Sequence, residues 1–150
     1  MRAVLQRVLS SSVEVDNKIT GSISKGINVL LGISENDDEN DIKWLAEKIV
    51  NLRMFEDDEG KINKSVLDIS GELLIISQFT LYGDCRKGRR PSFTESASAE
   101  TARPLYNKFV SYIKEYSKLK TEEGIFQAEM KVNIVNDGPV TFLLDSKKIF

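Results

Sequence analysis

The chain contains no histidine and a single cysteine, Cys85. The first absence removes the imidazole that serves many hydrolases as a base near neutral pH. With it go Ser-His-Asp and Cys-His catalysis and histidine-containing zinc sites. The second excludes an intrachain disulfide. No apolar run approaches the roughly 20 residues that span a bilayer. The opening MRAVLQRVLSSSVEV lacks the apolar core of a signal peptide and alternates like a strand. These features predict a cytoplasmic protein without membrane contact, in which the Asn63-Lys64-Ser65 sequon is a chance match. Chemistry is left to carboxylates, hydroxyls, lysines, backbone groups, or the substrate itself. Cys85 lies beside four cations that favour its thiolate, but it has no histidine to pair with. A small loop residue is the better reading.

What is present suits one domain over residues 1–150, with 41% hydrophobic and 29% charged residues. The formal charge of −2 does not describe a general nucleic-acid binder. The charge is uneven, however. Arg86, Lys87, Arg89 and Arg90 fall within five positions, while acids gather between Glu35 and Asp41. A basic loop on a mildly acidic body suits contact with phosphates at one place. It equally suits a solvated loop, and charge alone does not decide.

Periodicity outlines the fold. Ala3 to Val8 predicts a strand, Val13 and Val15 start a second, Asp16-Asn17 turns, and Ile19 to Ser24 returns. INVLLGI (Ile27 to Ile33) and ELLIISQFTL (Glu72 to Leu81) are apolar enough for buried strands. Ile42, Leu45, Ala46, Ile49 and Val50 space as one helical face, with caps between Asn36 and Asp41. A second helix carries Leu105, Tyr106, Phe109, Val110, Ile113 and Tyr116, with Pro104 in its first turn. Phe126, Ala128, Met130, Val132 and Ile134 alternate with polar residues, which predicts a long half-buried strand. Asn-Asp-Gly in NDGPVT then predicts a hairpin turn into VTFLLD, although Pro139 cannot donate to a partner strand. The expected class is α+β: a mostly antiparallel sheet or partly closed barrel with two main helices in a single domain. Exposed sheet edges would invite dimerisation.

Some motifs fail. Gly83 and Gly88 have P-loop spacing, but Arg89-Arg90 stands where Lys-Ser/Thr is required. Others remain. In SQFTLYGD, the polar Ser77, Gln78 and Thr80 end an apolar strand. They either face a site or merely cap the strand. Arg7 has five planar donors able to pin carbonyls, or is a surface strand arginine.

SQFTLYGD, KGRRPSF and NDGPVTF, in that order, resemble the D-aminoacyl-tRNA deacylase family. MRAVLQRV is similar to that family's opening, and the resemblance runs from Met1 to Asp145. Cys85 and Arg89-Arg90 differ in a loop where variation is expected. The resemblance implies an ester hydrolase for chiral proofreading. It would release D-amino acids from the 3′-terminal adenosine of tRNA and spare L-aminoacyl-tRNA. It implies no metal or organic cofactor and a homodimer with its active site at the interface. Gly138-Pro139, joined by a cis bond and followed by Val140 and Thr141, would reach into the partner's pocket around Ser77, Gln78, Phe79 and Thr80. Arg7 would support that loop, and Arg86, Lys87, Arg89 and Arg90 would meet tRNA phosphates. Ala128 and Met130 would face inward, as core or as pocket lining. Two mechanisms stay open: backbone N–H groups near Phe79 and Thr80 with help from the RNA 2′-OH, or Thr80 as nucleophile. Rival functions are an RNA-binding module, an editing domain acting on an L-amino acid, and a hydrolase of small D-aminoacyl esters.

Overall fold

The computed structural model describes residues 1–149. β1 (Arg2–Val15) is the spine of the molecule. It pairs antiparallel with β2 (Lys18–Ile23) and β3 (Gly26–Gly32) along one side, and antiparallel with the C-terminal β8 (Lys131–Asp145) along the other. β3 then pairs parallel with β6 (Glu72–Ser77), and β6 parallel with β7 (Thr121–Glu123). The sheet is thus mixed and nearly closed into a barrel. The small β4 (Phe55–Glu56) and β5 (Ile62–Lys64) form a separate antiparallel pair.

The two apolar runs are buried on both faces, as strands in a covered sheet must be. From β3, Ile27, Val29 and Leu31 enter the main core with the helices, while Leu30 faces a second cluster. β6 divides the same way: Leu73 and Ile75 go to the main core, Leu74 and Ile76 to the second. Val8, Val13 and Ile23 complete that second cluster. The sheet is therefore packed from two sides, and its strands read as continuous rather than alternating.

α1 (Glu39–Asn51) buries the predicted Ile42, Leu45, Ala46, Ile49 and Val50. Asp38 caps it, accepting from the Asn40 and Asp41 N–H groups, and the Asp41 carboxylate accepts in return from the Asp38 N–H. This reciprocal box satisfies donors that would otherwise be orphaned. α2 (Ala99–Ser117) starts earlier than its apolar spacing suggests, because Ser98 caps it through the Thr101 N–H. Pro104 therefore lies in the second turn, not the first. Tyr116 is not in the core; it is exposed and stacks on Tyr112.

Three further expectations are corrected. The first two predicted strands are one, β1. The strand predicted from Phe126 begins only at Lys131, since Gln127 adopts φ +72° and the Ala128 N–H turns back to the Ile125 carbonyl. NDGPVT is not a hairpin turn. Residues on both sides of it pair with β1 in one continuing antiparallel sense: Asn136 with Val8, then Thr141 with Gln6. Residues 137–140 stand opposite Arg7 alone, a wide bulge within one strand.

Asp41 is nearly buried. Burial pushes its carboxyl up, but bonds from Lys147 (2.6 Å), Ser146 and the Asp38 backbone outweigh this and hold it down at about 2. A depressed carboxyl stabilises the fold above its unfolded value and loses that contribution as pH falls. Asp41→Asn should therefore be less stable than wild type at pH 7, with the gap closing as pH falls from 3.8 toward about 2. Thermal melts across that range check this.

Candidate active site

β6 ends at Ser77, beside Leu31 of β3. The Gln78 N–H continues the ladder by donating to the Leu31 carbonyl (2.7 Å), and the chain then turns into a 3-10 helix over Phe79–Tyr82. Gly32 permits the turn to lie against β3. A Cβ there would sit 3.0 Å from Leu81 Cβ and 3.1 Å from the Gln78 carbonyl oxygen. The N–H groups of Phe79 and Thr80 have no hydrogen-bond partner among the described residues, and neither does the Ser77 hydroxyl. The Gln78 side-chain amide donates to Thr80 Oγ1.

These residues edge a cleft of about 410 Å³. Ser77, Gln78 and Phe79 form one wall, and Leu31, Ile33 and Ile76 lie beside them. The segment from Phe126 to Val132 forms the other, with Ala99 and Ala102 of α2 at its end. Ala128 and Met130 do line the cleft. Thr80 does not, although its hydroxyl touches Gln78, which does.

No sequence motif marks Phe126 and Gln127 as part of a site. Their wall is held by α2. Arg103 donates to Gln127 Oε1 (2.7 Å) and lies over the Phe126 ring at 4.8 Å. Tyr106 meets the same ring at 5.5 Å and donates its hydroxyl to the Ile75 carbonyl. Gln127 sits in the left-handed region, uncommon for a residue with a side chain. Nor does any sequence signal distinguish Ala99 or Ala102 from ordinary helix residues.

None of the lining side chains is ionisable in the physiological range. The cleft can bind a flat, mostly apolar group and offer hydrogen bonds at its edge. Among the described residues it presents no carboxylate, amine or thiol to act as a base.

The Gly138–Pro139 bond is cis, and both residues are exposed. Neither lines the cleft of its own chain. Thr141 is exposed, whereas Val140 is buried in the main core. Arg7 is almost wholly buried beneath this loop. Its Nε donates to the Asp137 carbonyl (3.0 Å) and lies 3.1 Å from the Asp137 carboxylate, and its Nη1 donates to the Met54 carbonyl (3.1 Å).

The basic segment is the tip of a small loop closed by paired bonds between Asp84 and Ser92. Arg86 forks onto Asp84 at 2.7 and 2.8 Å and holds that carboxyl down at about 2. Lys87, Arg89 and Arg90 have no ionic partner among the described residues. Phe93 returns from the loop to meet the Phe79 ring edge-on at 5.1 Å.

The family model for D-Tyr-tRNA(Tyr) deacylase matches residues 4–145. The chain belongs to that family. A D-aminoacyl-tRNA deacylase of Petrotoga mobilis is 61% identical over 150 residues, covering all of both chains. One of Clostridium botulinum (strain Langeland) is 66% identical over 151 residues, again over all of both. Among solved structures, the c-Myc DNA Unwinding Element Binding Protein superposes with TM-score 0.92 at 42% identity, covering 97% of this chain and 98% of that one. A probable eukaryotic D-amino acid tRNA deacylase has TM-score 0.81 at 17% identity, covering 95% and 97%, and shares the fold. As a member of the deacylase family the protein is a hydrolase.

For a deacylase, the lining of this cleft has a kinetic consequence. With no titrating protein group at the site, the pH–rate profile of single-turnover deacylation should follow the titration of the ester substrate alone. A bell-shaped profile with a further inflection between pH 5 and 8 would reveal an acid or base that the cleft lacks.

Proposed function

We propose that the protein hydrolyses the ester of D-aminoacyl-tRNA in the cytoplasm, as a homodimer, and rejects L-aminoacyl-tRNA. The carrying observation is a cleft with unpaired donors at its edge and no ionisable side chain. Such a site suits a substrate that is already activated, as an ester with an adjacent ammonium is. The modest acceleration required comes from positioning and oxyanion stabilisation. One well-placed donor is worth roughly 10²–10³-fold.

In this reading the terminal adenosine occupies the apolar cleft. The Phe79 and Thr80 N–H groups receive the oxyanion as water adds to the carbonyl carbon. The neighbouring RNA 2′-OH orients and helps deprotonate that water. The bond to O3′ then breaks, O3′ takes a proton, and the free D-amino acid and tRNA leave. In this reading Thr80 is not the nucleophile; the contact of its hydroxyl with the Gln78 amide, a donor and not a base, supports that.

Chiral selection falls to Gly138-Pro139 of the partner subunit. Support comes from the exposure of Pro139 at the crest of that loop and from the apolar residues around it. Leu9, Val135 and Leu143 are 55%, 51% and 59% exposed, and among the described residues β8 pairs with β1 alone. An exposed strand edge of this kind suits pairing with a second copy. Pro139 has no N–H, so its backbone contributes only an acceptor. Backbone carbonyls of the loop hold the substrate ammonium. A D side chain then points outward, whereas an L side chain meets the wall. Glycine has nothing to exclude and is hydrolysed too. Lys87, Arg89 and Arg90, with Arg86 already engaged by Asp84, meet acceptor-end phosphates.

Incubating the pure protein with D-Tyr-tRNA, L-Tyr-tRNA, glycyl-tRNA and D-Tyr methyl ester tests this. D-Tyr-tRNA and glycyl-tRNA should be cleaved and the other two left intact. Cleavage of L-Tyr-tRNA at a similar rate would favour general editing, and rapid cleavage of the methyl ester a small-ester hydrolase. A terminal 2′-deoxyadenosine should slow single-turnover cleavage by about 10²-fold or more, while Thr80→Val retains substantial activity. The opposite pattern would make Thr80 the nucleophile.

Replacing Lys87, Arg89 and Arg90 by alanine should weaken tRNA binding. It should also flatten the plot of log affinity against log salt by roughly 0.7 to 0.9 for each phosphate that is no longer neutralised. An unchanged slope would move the tRNA interface elsewhere.

A further inference from the structure

Asn136 stands where β8 leaves the ladder. Its side-chain amide nitrogen donates to the Arg7 carbonyl on the facing strand (2.8 Å) and to the Val140 carbonyl at the far end of the bulge (3.2 Å). One side chain thus ties the start of the loop to its end and to β1. The amide oxygen faces the loop interior. A Cβ built on Gly138 would lie 2.6 Å from Asn136 Oδ1 and 3.3 Å from its Cγ, with the Val140 nitrogen next at 3.6 Å.

Gly138 is not in the left-handed region; only Gly60 and Gly88 are. Backbone conformation therefore does not demand glycine here. The demand comes from Asn136 Oδ1, which cannot swing aside without surrendering both bonds of the amide nitrogen.

We propose that Asn136 is a positioning residue: it fixes the path of residues 137–140 and is the reason that position 138 is glycine. This rests on the proposed function, in which that loop selects the substrate. Asn136 and Arg7 hold different points. Arg7 takes the carbonyl of Asp137 from below, and Asn136 takes that of Val140 from within the loop. Together they leave Gly138 and Pro139 as the crest between two anchored carbonyls.

The test uses Asn136→Asp, which keeps the shape but turns an oxygen toward two carbonyl oxygens, with Asn136→Ala and Gly138→Ala, single and combined. Three quantities are measured in the full-length protein: the ratio of kcat/KM on D-Tyr-tRNA to that on L-Tyr-tRNA, amide hydrogen exchange at Gly138 and Val140, and Tm. Asn136→Asp should lower the ratio by about tenfold or more and speed exchange at both amides, with Tm changed by only a few degrees. Gly138→Ala should speed exchange at Val140 in the wild-type background and do so less in Asn136→Ala, where the obstructing oxygen is gone. Wild-type ratio and exchange in Asn136→Asp would overturn the proposal. So would an equal effect of Gly138→Ala in both backgrounds. If the wild-type protein cleaves no D-Tyr-tRNA, the functional reading fails, and exchange in the same variants still decides whether Asn136 sets the loop.

Discussion

A strand that places four residues opposite one must find new partners for the backbone groups that leave the ladder. β8 does this opposite Arg7, and the rest of the molecule is arranged around the solution. Arg7 is buried, and a buried guanidinium is tolerable only if its donors are met. They are met by the Asp137 and Met54 carbonyls and the Asp137 carboxylate. The Asn136 amide closes the other side. The bulge is consequently a fixed feature, anchored at both ends while Pro139 at its crest stays exposed.

In the proposed function the cleft is the complementary half of the site. It is lined by strand ends, an irregular segment and the first turns of α2, and its hydrogen-bonding capacity is concentrated where β6 gives way to a 3-10 turn. A site built from main-chain donors and apolar walls suits a chain without histidine. It also shifts the burden of selectivity to shape and backbone. Backbone groups are common to every sequence, so what this chain contributes is the set of side chains that hold them: Gly32 under the turn, Arg103 and Tyr106 behind Phe126, and Arg7 and Asn136 behind the loop.

Much of this was legible in the sequence. Both helices announced themselves by 3.6-residue spacing, and α1 also by its acidic cap region. The start of α2 was less legible, because its Ser98 cap lies well ahead of the apolar face. The buried strands followed from their continuous apolar runs. The motif around Ser77 to Phe79 pointed to the cleft. The bulge was not legible, because Asn-Asp-Gly between apolar runs is the same signal whether the chain reverses or swells outward. The difference lies in what waits across the sheet, and the partners of Arg7 and Asn136 are distant in sequence. The Phe126–Met130 wall misled for a related reason. Its alternation placed Phe126, Ala128 and Met130 on the cleft side, yet the left-handed Gln127 breaks the ladder without breaking the pattern.

The central claim is that the site is completed across two subunits, the cleft of one with the loop of the other. Subunit complementation tests it most directly. A cleft variant, Gln78→Ala with Phe79→Ala, and a loop variant, Pro139→Ala, would each be prepared inactive, then mixed and allowed to exchange subunits. In a mixed dimer one site pairs an intact cleft with an intact loop, so an equimolar mixture should recover about a quarter of wild-type activity on D-Tyr-tRNA. No recovery, in a mixture shown by mass spectrometry to contain mixed dimers, would contradict the account.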